Sequence, residues 1–267
     1  FETYSESTNQ WMPGTMTFDP TQMYLTHIDT LTPVTLIGQE IDPDELNITL
    51  QPNWNWLGYP LRYNHVINDA LVNLSSSDGS VIKSQTKFSE YVESIGRWVG
   101  SLEWMIPGEG YLFESTADTA IAFTFSGLDP EQSGGMARMA RNGNTEQINS
   151  PWEINPKNFQ YNMPVVCEMV DGTWDMEKIA VAAMVNGKVR GISQPLYEPA
   201  LDEWRVFLMV YSNQKKGETI QFHIYDKETS TEYFANEISL FDESTLVGRV
   251  TNPFILTKAS NVIPVEF

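Results

Sequence analysis

The chain has 267 residues, 41% of them hydrophobic, and carries 16 basic against 35 acidic side chains for a formal charge of −19. That length and apolar content can fill two cores. No run of about 18 apolar residues is available to cross a bilayer, and a charge of this sign repels nucleic acid and anionic lipid.

The acidity is uneven: residues 1–126 hold 16 acids and 4 bases, 127–159 hold 4 and 3, and 160–267 hold 15 and 9. Solubility is the ordinary reason for such a front-loaded charge, with calcium binding as the alternative. The first residues show no basic start followed by an apolar stretch, so an export signal was either removed or never there. Cys167, the one cysteine, cannot form an internal disulfide. It sits in the apolar run MPVVCEMV, where a thiol behaves as a small buried hydrophobe rather than a nucleophile.

Residues 1–34 are polar and weakly alternating, as short strands or an extended arm would be. From 35 to 126 the signals become denser. NITL and WNWLGYP read as strands separated by the turn residues Gln51, Pro52 and Asn53. NHVINDALVNL then places Val66, Ile67, Ala70, Leu71 and Leu74 at helical spacing, with Asn64 as its cap. VIKSQTKFSEYV, RWVGSLEW, GYLFEST and TAIAFTF follow as short runs of aromatic and branched residues, which makes this region a small α+β module whose helix must lie on the sheet.

Periodicity disappears over 127–157, where paired glycines and three prolines suit a linker or long loop. From 158 to 267 seven strand-like runs return, among them KIAVAAMV, EWRVFLMVYS and TIQFHIYD. Asn186-Gly187 is the sharpest turn between them, since both residues tolerate positive φ. Seven short alternating strands in about 110 residues is the pattern of an immunoglobulin-like β-sandwich. In TIQFHIYD, Ile220, Phe222 and Ile224 alternate with Gln221, His223 and Tyr225, so one face should be core and the other solvent. The fold expected is therefore mainly β, an α+β module followed by an immunoglobulin-like sandwich.

PNWNWLGYPL followed by a short helical run, IKSQTKF and WVGSLEWMIPGEGYLF, then IAVAAMVNGKVRGIS and ETIQFHIYDKETSTEYFA, resembles a recurring module of large secreted or surface proteins of Bacteroidetes. The resemblance covers Thr35 to Thr257 and carries no catalytic motif. It implies an exported, non-enzymatic part of a longer polypeptide, secreted or attached to the outer membrane of a Gram-negative bacterium, with neighbouring modules as its first partners. Residues 1–34 would then be an arm or the remnant of a preceding module. The chain departs from the pattern at Asn53, where a glycine is expected before the first tryptophan, and in its irregular 127–157 insert.

The sequence offers residues for three chemistries. Alternation puts Trp54 and Trp56 on one face of a strand, and Trp98 and Trp104 could meet them from later strands. Each ring buries about 150 Å² or more, so a core cluster is the preferred reading, with an exposed sugar-stacking platform as the alternative and a contact with a neighbouring module third. Glu40, Asp42, Asp44 and Glu45 in GQEIDPDELN offer hard oxygen ligands for calcium, without the spacing of an EF-hand loop. No other cofactor is expected. A glycoside hydrolase needs two opposed carboxylates at a set separation, and short-looped β modules leave little room for the cleft. His27, His65 and His223 are too scattered for zinc, and no Gly-rich phosphate loop or serine elbow is present. The function expected is a structural, adhesive or presentation role without catalysis, with carbohydrate binding as the alternative and glycoside hydrolysis third. The ligand expected is a glycan or a surface protein.

Overall fold

The computed structural model describes residues 3–5, 7–8, 10–12, 17–25, 42–125, 150–170 and 174–263. It is mainly β, with 50% strand and 7% helix. A hairpin of β1 (Thr3–Ser5) and β2 (Gln10–Met12) stands at the N-terminus.

The following half contains β3 (Ile48–Leu50), β4 (Asn53–Gly58), β5 (His65–Val66), α1 (Ile67–Ala70), β6 (Val81–Lys83), β7 (Phe88–Val92), β8 (Arg97–Gly100), β9 (Trp104–Met105), β10 (Gly110–Ser115) and β11 (Ile121–Phe123). Five of these form an antiparallel sheet in the order β4-β10-β6-β7-β8, while β11 pairs with β3 and β5 with β9. The period of two along β10 sends Tyr111 and Phe113 inward. There they join Leu57, Ile82 and Trp98 from the sheet and Ile67, Ala70, Leu71 and Leu74 from the helical segment in one core.

The helix differs from its expected length. The apolar spacing identifies the buried face correctly, yet α1 is a single turn with Val66 at its N-cap and no side-chain cap. Asn64 is buried rather than capping. Pairing of β5 with β9 holds His65 and Val66 extended, and the Ile67 N–H is satisfied by the Glu103 carbonyl at 2.8 Å, so tertiary pairing overrides the helical pattern.

The second half contains β12 (Tyr161–Met169), β13 (Ile179–Val185), β14 (Lys188–Ser193), β15 (Pro195–Glu198), β16 (Glu203–Ser212), β17 (Lys216–Asp226), β18 (Thr231–Asp242), β19 (Phe254–Leu256) and β20 (Lys258–Ile263). They build a four-stranded sheet, β15-β16-β12-β19, and a five-stranded sheet, β14-β13-β17-β18-β20. All pairings are antiparallel except β12 with β19. The sheets face each other across one core, in which Val165 and Cys167 of β12 and Val206 and Leu208 of β16 meet Val181 and Ala183 of β13 and Phe222 and Ile224 of β17. At the β13-β14 turn Asn186 (φ 50°) and Gly187 (φ 71°) both take the left-handed conformation anticipated for a two-residue hairpin loop.

One expectation about this half holds only in part. Of the three residues on the outer face of β17, Gln221 is exposed as expected, but His223 and Tyr225 are buried: Trp152 lies across Ala180, Ala182, Met184 and Tyr225, and Phe234 meets His223 at 4.5 Å. Trp152 belongs to the stretch expected as a linker or long loop, and its ring sits 5.9 Å from Tyr225 and 6.5 Å from His223.

A further layer joins the two halves. Phe88, Val92 and Val99 on the outer face of the first sheet pack on Val166, Phe207, Met209 and Tyr211, the outward residues of β12 and β16, together with Val250. Phe88 and Phe207 meet edge to face at 5.8 Å.

Candidate functional site

β4 begins at Asn53, whose φ of 69° is left-handed. Only glycine adopts this backbone freely, and asparagine is the side chain that tolerates it best. This explains why a glycine is expected there. Asn55 then fastens the turn: its Oδ1 accepts the Gln51 N–H at 2.7 Å, and its Nδ2 donates to the Gln51 carbonyl at 2.7 Å, the Asn53 carbonyl at 2.9 Å and the Phe113 carbonyl of β10 at 3.3 Å. The residue between the two tryptophans thus anchors the strand from the opposite side.

Trp54 and Trp56 therefore share the outer face of the sheet and do not enter its core, which corrects the preferred reading. Trp56 is 47% exposed. The register places Leu112 of β10 across from Trp56 and Glu114 across from Trp54, and Lys83 of β6 beyond Leu112. Trp54 is half-buried, with the Lys83 ammonium 4.7 Å from its ring centroid. The four tryptophans do not converge. Trp98 is on the inner face, 4% exposed, against Phe113 at 5.7 Å and Tyr91 at 5.5 Å. Asn68 holds its backbone, accepting the Trp98 N–H at 2.7 Å and donating to its carbonyl at 3.1 Å. Trp104 is half-buried on β9 opposite Val66.

Sequence reasoning missed the polar groups at the seam between the halves. Lys83 is buried, and its Nζ donates to the Asn162 carbonyl at 3.1 Å and the Glu243 carbonyl at 3.4 Å. Desolvation pulls its pKa down to about 8, opposed by Glu114 and Glu243. Glu90, also buried, accepts the Val250 N–H at 2.8 Å and Arg249 Nη1 at 3.4 Å, while Arg249 donates to the Gly79 carbonyl at 2.7 Å. Burial pushes the Glu90 carboxyl up, and the Val250 amide and Arg249 pull against it. Asn162 Nδ2 returns a hydrogen bond to the Gln85 carbonyl at 3.2 Å. The available signal was a charge on an apolar-facing register, since Glu90 alternates in step with Phe88 and Val92.

Of the expected calcium ligands, Glu40 lies outside the described residues. Asp42 is exposed and its Oδ1 accepts the Asp44 N–H at 3.0 Å, at the start of a short 3₁₀ turn that contains Asp44 and Glu45. Among the described residues no group of three His, Cys, Asp or Glu side chains is placed to hold a metal. Cys167 is fully buried and its thiol is pushed far up by desolvation, which leaves no thiolate for chemistry. His223 Nδ1 pairs with Glu232 Oε1 at 2.5 Å. A shallow groove of about 340 Å³ lies between β17, β18 and β20, lined by Gln221, Phe234, Ala235, Asn236, Ile238 and Ala259. Among the described residues no helix is long and apolar enough to cross a membrane.

Compared with known proteins, the chain matches no family model, no curated protein and no solved structure.

Proposed function

We propose that the chain is a non-catalytic secreted or cell-surface module with a structural, adhesive or presentation role in a larger bacterial protein, its second half an immunoglobulin-like sandwich. The observation that carries this reading is the seam. Domains joined through small polar contacts move against each other by default, and a dry apolar interface removes that freedom. Here Phe88, Val92 and Val99 meet Val166, Phe207, Met209 and Tyr211, and Lys83, Glu90 and Arg249 each hydrogen-bond to backbone groups across it. Such a body holds whatever precedes and follows it at one spacing and one angle, which suits a presenting element better than a mobile catalytic pair of domains.

The experiment is thermal and denaturant unfolding of the full chain, followed by near-ultraviolet circular dichroism and limited proteolysis. The reading expects one cooperative transition, and Phe88→Ala lowering the stability by about 3–5 kcal/mol while separating the transition into two. Two independent transitions in the unmodified chain would remove the basis for the rigid presenting role. Surface-protease digestion of intact cells that express the parent polypeptide tests the location, and a fully protected intracellular chain would refute it.

A further inference from the structure

We propose that the outer face of β4 and β10, with Trp56 as the stacking ring and Trp54 and Glu114 beside it, is a binding site for a neutral polysaccharide. Trp56 keeps 47% of its surface in water although Trp98, on the opposite face of the same sheet, is 4% exposed. The two outer rings occupy alternate positions of one strand, so they stand about 7 Å apart along it and address adjacent parts of one ligand. The carbon–hydrogen face of a pyranose carries slightly positive hydrogens, which suit the electron-rich face of an indole.

The polar requirement of a sugar is met next to the rings. Glu114 lies across from Trp54, half-buried and on the same face, where its carboxyl oxygens can accept from sugar hydroxyls. The site is also bounded. Lys83 reaches from the Trp54 ring to the carbonyls of Asn162 and Glu243, so the inner ring ends against the second half of the molecule and the outer ring is the open end. The start of the strand is pre-set by Asn53 and the Asn55 clamp, so little ordering is needed on binding.

Charge selects the ligand class. The chain as a whole carries −19, while at the site the Glu114 carboxyl is offset by the Lys83 ammonium over the Trp54 ring. An anionic polymer meets the repulsion of the whole chain, whereas an uncharged hexose polymer meets two rings and hydrogen-bonding oxygens. This inference is separate from the rigid-body reading: loss of glycan binding leaves the unfolding behaviour untouched, and the reverse also holds.

The test is affinity electrophoresis and tryptophan-fluorescence titration of the full chain with a soluble β-glucan, a mannan and, as the anionic probe, polygalacturonate. Retention by at least one neutral polymer is expected, with none by polygalacturonate. Trp56→Ala should weaken retention at least about tenfold, roughly the 1.4 kcal/mol that a lost ring contact represents, without a change in melting temperature. Trp56→Phe should recover part of it, and Glu114→Gln should weaken it less than Trp56→Ala does. Absence of retention by both neutral polymers, retention undiminished in Trp56→Ala, or preference for the anionic polymer would each overturn the proposal. A concentration-dependent dimer abolished by Trp56→Ala would also overturn it, because the rings would then belong to a second copy of the chain.

Discussion

Asn53 and Trp98 show how much one position depends on its backbone and its face. Asn53 sits at φ 69°, where a β-branched side chain is strained by roughly 1–2 kcal/mol. Asn53→Gly should therefore be close to neutral and Asn53→Val destabilising by that amount, read as a shift of the denaturant midpoint at constant slope. Trp98 and Trp56 have the same chemistry and opposite fates. Trp98→Ala removes a ring packed against Phe113 and Tyr91 and should cost about 3–5 kcal/mol, while Trp56→Ala should stay within about 0.5 kcal/mol. The alternation in WNW correctly placed both rings of β4 on one side. It could not say which side is core, since a period of two marks two faces without naming either.

At the scale of the element, every strand-like run expected between Asn47 and Phe125 lies in or overlaps a strand, and the NG turn has the anticipated conformation. The helix is shorter than its pattern because β5 pairs with β9. The outer face of β13 and the Tyr225 end of β17 are covered because Trp152, in a stretch without periodicity, folds back across them. Removing that cover is a direct test. Trp152→Ala should destabilise the chain by about 3–5 kcal/mol and admit solvent to His223 and Tyr225, read as faster hydrogen exchange along β17. A single tryptophan among Ser, Pro and Asn carries no periodic signal, so its burial was not legible in the sequence.

At the scale of the whole molecule, the halves are joined by Lys83, whose titration gives a signed prediction. Its folded pKa is depressed to about 8 from 10.5. Between those values the unfolded chain binds more protons than the folded one, so the contribution of this group to stability rises with pH through that window. Below pH 8 both states are charged and the full desolvation penalty, about 3 kcal/mol, is present. The buried phenols of Tyr59, Tyr111 and Tyr211 are pushed above their usual value and lose stability only from about pH 10 upward. Melting temperature should therefore climb from about pH 8 to 9, above which the buried Cys167 thiol opposes the rise, and Lys83→Met should flatten that climb. A flat profile in the unmodified chain would mean that Lys83 is solvated and the seam open.

By itself the sequence determined the mainly β character, the positions of the strands and turns, the apolar face of the helical turn and the buried thiol of Cys167. These follow from local propensity and from periods of two and 3.6, which short windows of residues contain. The tertiary structure alone decided which tryptophan is dry and which is wet, that Trp152 covers a sheet face, and that Lys83, Glu90 and Arg249 bridge the two halves. Each of these depends on which sheet face meets which partner across a long sequence separation, and no local pattern encodes that meeting.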